Sequence, residues 1–442
     1  MSRRRMTAVL VRSTVLAGFA AAAVAGGAAP AAVAAGGPVS TNPANWTPQM
    51  TGPDGRNGNI GVVRQLVPCG ATMYAVGRFT EFTSPADGGR VFKRNNAIAF
   101  NGSTGKVNNF NPNTNGKINS IAFNPSDCGT AYIGGTFTQV GGKPAQYIAA
   151  VDTSTGELRT GFRRNASKEV SALVWTHGRV LAGGFFKEIN GAARSRLASL
   201  NPRTGVPDGY LTLPLSGQYP GVNATKAYNF TLNHRGNQML VTGVFTHVGN
   251  APRQQAFQLD LGPTKATLDG WTTPDFTIHC QKGTPFYVQD ATYSTDDRTI
   301  FAATTGGDIR GGGPHTGVCD AAIAYRNAPS SQNHLWVNYT GCDSLLSVVA
   351  DASTVYVGGH QRYLDNPRGC NEQGPGAVFR PGLGGINPTT GKATAWDPGR
   401  SRGIGAGDLV LAFGGLWVGS DNQNGVSSCG HEYHPGICFL PR

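Results

Sequence analysis

Four carboxylates and a few cations recur at comparable places in this sequence. Glu169, Asp343 and Asp408 stand at or near the starts of short apolar runs, as do Asn59, Lys117 and Lys226. These six would form a mixed-charge, ligand-binding rim, with Asp290, within "FYVQDATY", able to point inside it. Paired carboxylates can act as general acid and base on a glycosidic bond, so the four carboxylates are the candidates for carbohydrate hydrolysis or elimination. The plainer reading makes them solvated loop ends, or acceptors of backbone N–H groups from a neighbouring element. The sequence fixes no separation between them. A second grouping is "CGHEYHPGIC", residues 429–438, in which Cys429, His431, His434 and Cys438 could hold a tetrahedral zinc ion. In an oxidising compartment the two cysteines pair with each other instead, leaving the histidines as loop polar groups. Arg310 and His315, within the glycine-rich "GGDIRGGGPHTG" of 306–317, could touch an anionic ligand. That loop lacks the Lys-Ser/Thr ending of a phosphate cradle and follows no helix. No G-x-S-x-G nucleophile elbow and no acidic calcium loop is present, and no cofactor is expected.

The elements that must position these residues come from a repeat. The phrase "YIGGTFTQVGG" (132–142) has counterparts in "YAVGRFTEF" (74–82), "LAGGFFKEING" (181–191) and "LVTGVFTHVGN" (240–250). With Gly135 as marker, its equivalents are Gly77, Gly184, Gly243 and Gly359, with Thr304 and Ser420 as degenerate members. The steps are 58, 49, 59, 61, 55 and 61 residues, which makes seven units. Periods of this size belong to solenoids or propellers. Unit 2 reads as strand a (117–123), strand b (130–140), strand c (147–152) and strand d (156–162), with a "TSTG" turn between c and d. Four short antiparallel strands repeated seven times predict an all-β fold, a seven-bladed β-propeller. The seventh unit runs out after a strand c, "GICFLPR" (436–442). The segment "NWTPQM" (45–50) can supply its fourth strand, because Trp46-Thr47-Pro48 aligns with Phe110-Asn111-Pro112 and Trp396-Asp397-Pro398. Such a closure leaves no open sheet edge. The repeated glycines are expected where blades converge, and Phe79, Phe137, Phe186 and Phe245 between blades.

The phrase G-G-x-F-T-x-V-G-G, followed by "YIAAVD" and "TG", resembles the delta-sixty type of bacterial propeller repeat, kin to kelch-like propellers. The match is specific over units 1 to 4 and weak over units 5 to 7. It implies a secreted or surface propeller and carries no catalytic residues with it.

Residues 1–36 read as a removable export signal. Arg3, Arg4, Arg5 and Arg12 form the basic start, Ser13 to Ala25 an apolar run, and Ala32-Val33-Ala34 a cleavage pattern. The expected mature chain is one propeller domain over 41–442, and removing four Arg takes its formal charge from +12 to +8. A moderately basic exported protein is biased towards acidic glycans, cell-wall polymers or other anionic partners. No Lys/Arg run stands beside aromatics, so nucleic-acid recognition is not indicated. No second hydrophobic segment predicts a membrane span, and a monomer is expected. Eight cysteines suggest four disulfides, and the strand frame narrows the pairing. Cys69 and Cys128 share the a–b turn of adjacent units. Cys280 with Cys319, and Cys342 with Cys370, join d–a and b–c connections. Cys429 and Cys438 lie close together in the last unit.

The function expected from these readings is a secreted binding module that meets a surface glycan or protein through its d–a and b–c loops. An extracellular carbohydrate-active hydrolase or lyase, and a non-catalytic scaffold, are the alternatives. Tyr287, Trp336 and Tyr363 are candidate sugar-stacking rings, set against the ordinary fate of propeller aromatics as packing between blades.

Overall fold

A computed structural model of the chain describes residues 37–52, 61–218, 224–277, 280, 286–306, 317–402, 405–422 and 428–442. Asn59, Arg310, His315 and the segment 1–36, read above as an export signal, lie outside these residues.

Strands form where β-branched and aromatic residues alternate between turn-rich segments. The described residues give seven main antiparallel sheets, each begun by an inner strand a. These inner strands are Val62–Cys69, Ile118–Phe123, Val170–Thr176, Lys226–Leu232, Val288–Tyr293, Leu345–Ala350 and Asp408–Ala412. Each packs against the next, and the seventh packs against the first. The chain is therefore a closed β-propeller. In every blade strand a pairs with b, and b with c. Strand d is complete in blades 4 and 5, as Ala266–Leu268 and His334–Tyr339. In blades 1, 2, 3 and 6 it shrinks to one bridge, for example Val151 to Leu158. Strand b of unit 2 also ends earlier than its sequence suggested. It stops at Gly135, and Gln139–Val140 turns back on Lys143–Pro144 as a separate small hairpin in the b–c connection.

The seam is closed by the amino-terminal segment. Ser40 N–H donates to Pro441 O at 2.7 Å, and Ala44 N–H to Phe439 O at 2.8 Å, along the outer edge of strand c in blade 7. Trp46 then lies 5.5 Å from Phe439 and 5.8 Å from Trp417. Two details differ from the expected closure. Gln49–Met50 cross over to pair with Glu81–Ser84, a b–c hairpin of blade 1. Packing also begins before residue 41, since Val39 is buried and its carbonyl accepts the Trp396 indole N–H at 2.7 Å.

The core is a ring of seven apolar clusters, one between each pair of neighbouring blades. Phe79, Phe137, Phe186 and Phe245 are all buried in them. Phe137, for instance, shares a cluster with Val76, Ala99 and Phe110 of blade 1. Blade 6 puts Gln361, also fully buried, at the place of that phenylalanine.

The repeated glycines have a more local cause than blade convergence. A Cβ on Gly77, Gly135, Gly184, Gly243 or Gly359 would stand 2.0 to 2.3 Å from the carbonyl oxygen of Val62, Lys117, Glu169, Lys226 or Ser344 respectively. That carbonyl leans in to accept the N–H after the glycine, as in Thr136 N–H to Lys117 O at 2.9 Å. Immediately beyond it, strand a slips register by one residue. The slip recurs at the same place in blades 1 to 6, between Val63 and Gln65, Ile118 and Ser120, and their equivalents. A β-bulge of this kind bends the strand and re-aims side chains.

The disulfides are Cys69–Cys128, Cys280–Cys319, Cys342–Cys370 and Cys429–Cys438. The first links blades 1 and 2 at their a–b turns. Among the described residues no helix is long and apolar enough to cross a membrane.

Candidate functional site

The bulges decide what lines the axis. A cavity of about 270 Å³ lies at the head of the central channel, with lining residues from all seven blades. They fall into three tiers set by the register of strand a. The outermost tier, just ahead of the bulge, contributes Lys117, Glu169 and Lys226. The bulged residues come next, among them Arg64, Asn119, Ser171, Tyr228 and Gln289. Below them stand Gln65, Ser120, Asn229, Asp290 and Asp408. Without the bulge, alternation would send one of each consecutive pair back towards the blade.

The lowest tier is a ring of bonds between blades. Gln65 Oε1 accepts Ile121 N–H of blade 2 at 2.7 Å, and Ser120 Oγ accepts Leu173 N–H of blade 3 at 2.9 Å. Asp290 Oδ2 accepts Val348 N–H of blade 6 at 2.9 Å, and Asp408 Oδ2 accepts Leu66 N–H of blade 1 at 2.5 Å. In each case a side chain satisfies the same backbone donor on the next inner strand, which would otherwise go unpaired. Asp290 is further engaged through Oδ1, which accepts from Asn229 Nδ2 at 2.7 Å and from Ala291 N–H at 2.9 Å. Burial pushes the Asp290 carboxyl up to about 6. Burial also pushes Asp408 up to about 8, with the charge on Asp290 adding to the shift. Both are surrounded by protein yet touch the channel. Desolvation explains the direction, because a carboxylate loses more hydration than its acid.

The upper tiers have a different chemistry. Glu169 Oε1 accepts from Asn119 Nδ2 at 2.8 Å and lies 3.8 Å from Lys117 Nζ. Burial holds the Lys117 ammonium below the usual lysine range. Glu169 opposes that shift, while Arg64, Lys226 and Arg78 reinforce it. Burial, with Arg78 beside it, lowers Arg64 as well. Lys226 Nζ sits 4.7 Å over the ring of Tyr228, whose edge-to-face partner is Tyr287 at 5.9 Å. The mouth thus combines crowded cations, amide groups and an aromatic ring around one carboxylate.

Five residues singled out in the sequence, Lys117, Glu169, Lys226, Asp290 and Asp408, meet in this cavity. Asp343 does not. It is buried at 4 % exposure, takes two hydrogen bonds from Arg362 Nη1 at 2.8 and 2.9 Å, and contacts Arg402. That makes it an ion-pair anchor for the b–c and d–a segments of blade 6. The zinc grouping fails on its sulfur, since Cys429 and Cys438 are joined to each other. His434 is buried against Thr47 and Glu432, burial holding its imidazole below the usual range, and the His431 ring packs at Gly399. Trp336 stacks on Phe301 at 5.8 Å and donates to Pro388 O, half-buried against the core between blades 5 and 6. Tyr363 meets Phe379 edge-on at 5.8 Å on a blade 6 hairpin. Arg64, Asn119, Ser171 and Tyr228 were missed in the sequence. No fixed spacing marks them, since they stand 13, 16, 13 and 15 residues before Gly77, Gly135, Gly184 and Gly243, and only the bulge turns them inward.

No family model matches the chain, and no curated protein matches it. Similar solved structures include the extracellular domain of BT4673 from B. thetaiotaomicron, at 11% identity and a TM-score of 0.45 over 90% of this chain. The chain spans 40% of the length of that one. BamB from Moraxella catarrhalis is similar at 14% identity and a TM-score of 0.41, over 85% of this chain and 92% of its own. The WD40 β-propeller domain of Doa1 is similar at 11% identity and a TM-score of 0.45, over 89% and 95%.

Proposed function

We propose that this propeller is a secreted, non-catalytic binding module whose channel mouth takes an acidic sugar unit of an extracellular glycan. One observation carries the reading. The mouth gathers Arg64, Lys117 and Lys226, with Arg78 near, against Glu169 alone, while Asp290 and Asp408 are occupied as bonds between blades. A general acid or base has to reach substrate, and carboxyl oxygens already accepting backbone N–H groups are poorly placed to do so. Clustered cations in a cavity with low-dielectric walls attract a carboxylate or sulfate, and the Tyr228 ring in the lining gives them an apolar neighbour. Four disulfides support an oxidising destination, as does the basic-apolar leader. Kinship with the delta-sixty type of repeat belongs to the same reading.

Calorimetric titration with trigalacturonate and, as the neutral control, maltotriose tests it. The acidic trisaccharide is expected to bind and the neutral one not. Lys117→Ala with Lys226→Ala should weaken binding about tenfold or more, roughly one charge-assisted hydrogen bond in energy. Equal affinity for both sugars, or indifference to the double substitution, would overturn the proposal. Release of shortened sugars by the wild type, abolished in Asp290→Asn, would replace it with the hydrolase reading.

A further inference from the structure

Cations also gather outside the channel lining, on a wall formed by the d–a connection between blades 2 and 3 and the b–c hairpins beside it. The segment 163–168, leaving the last strand of blade 2, is clamped between two b–c hairpins. Arg164 Nε donates to Pro144 O at 2.8 Å on the hairpin of blade 2. On the hairpin of blade 3, Lys187 N–H and Glu188 N–H each donate to Ser167 Oγ at 3.0 Å, and Asn165 N–H donates to Asn190 Oδ1 at 2.8 Å. These bonds bring Lys143, Arg163, Arg164, Lys168 and Lys187 around one short piece of backbone. All are exposed except Arg164, which is half-buried. None of the five forms an ion pair among the described residues, although elsewhere Arg159 holds Asp152 and Arg179 holds Asp208. Like charges gathered along one short segment repel, most strongly at low salt, and Glu169 and Glu188, next in the chain to Lys168 and Lys187, offset only part of the five.

We infer that this wall is a docking surface for a linear acidic polysaccharide bearing a carboxylate on each sugar. Lys168 is followed in the chain by Glu169 at the channel mouth, which joins this wall to the site of Lys117 and Lys226. The inference rests on the channel reading for that inner end alone. A flexible polymer with regularly spaced charge can neutralise several of these cations at once, and the release of its counterions drives the association. A single-stranded nucleic acid fits less well, because the exposed aromatic side chains among the described residues, Phe379 and Tyr433, lie on blades 6 and 7, away from these cations.

The test compares the full protein with an Arg163→Ala, Arg164→Ala, Lys168→Ala, Lys187→Ala variant, its fold checked by circular dichroism. A second variant exchanges the same residues Arg for Lys and Lys for Arg. Polygalacturonate is the polymer probe, trigalacturonate reads the channel alone, and dextran is the neutral control. The alanine variant should lose about tenfold to a hundredfold in polygalacturonate affinity at low salt. Its slope of log affinity against log salt should flatten by about 3, the value for four lost contacts. Trigalacturonate affinity should stay unchanged, and the exchange variant should bind polymer like the wild type. Unaltered polymer affinity and slope in the alanine variant would overturn the inference, as would single-stranded DNA binding in preference to polygalacturonate through the same residues. Wall-dependent polymer binding without any trigalacturonate binding would support the wall and refute the channel.

Discussion

Replacing Asp408 by Asn removes a titratable group at the seam of the ring while keeping an oxygen to accept Leu66 N–H. In the unfolded chain the carboxyl titrates near its free value of about 4. In the folded protein burial raises it to about 8. Below about pH 4 both states hold the proton, and Asp408 favours neither. Between about pH 4 and about pH 8 the folded state keeps a proton that the unfolded state has released, so stability falls as pH rises through this window and levels off above it. Four pKa units correspond to a ceiling of about 5 kcal/mol. Asp408 retains some contact with channel water, which screens the charge, so about 3 kcal/mol is expected. Asparagine carries no such penalty. Asp408→Asn should therefore match the wild type near about pH 4 and exceed it by about 3 kcal/mol near about pH 8.5. Asp290 titrates in both proteins and largely cancels in the difference. Urea unfolding followed by tryptophan fluorescence, with the disulfides intact, measures the gap at each pH. Asp408→Ala serves as control: it leaves Leu66 N–H without an acceptor and should cost about 1–3 kcal/mol even at about pH 4. A gap between Asn and Asp that stays constant with pH, or an Asn variant less stable at the alkaline end, would refute the burial argument.

Two further outcomes follow from the packing. Gly135→Ala would put a Cβ 2.1 Å from Lys117 O, so the bulge of blade 2 must shift. A loss of about 3 kcal/mol or more in urea unfolding is expected, together with weaker trigalacturonate binding as Lys117 moves. Trp46→Ala removes the ring that caps Trp417 and Phe439 at the seam. It should lower stability by about 3 kcal/mol and speed proteolysis of residues 37–50, whereas a change below about 0.5 kcal/mol would mean that this segment does not close the ring.

Much of the architecture is legible along the chain because a propeller is built from near neighbours. Strands a, b and c of one blade lie within about fifty residues, so their alternation and turns appear as a repeat, and Gly77, Gly135, Gly184 and Gly243 mark it. Even the disulfides follow from strand position: once blades are numbered, Cys69 and Cys128 fall at the same turn of adjacent blades. The missing strand of blade 7, and Trp46 at the place of Phe110 and Trp396, point to the seam for the same reason. What could not be read was the direction of side chains on strand a. Alternation alone assumes a regular strand, and a bulge of one residue shifts the inward-facing set. Arg64 and Tyr228 therefore went unnoticed, while Asp343 was assigned to a rim it does not join. Nor does a linear chain tell an idle carboxylate from one stitched to another blade. The partner of Asp408 is Leu66, 342 residues away, and only closing the ring brings that backbone N–H within reach. Local periodicity determined the blades, because strand pairing within a blade depends on residues close in sequence. The character of the channel was decided by tertiary structure, because its lining takes one short piece from every blade and its electrostatics depend on how they converge.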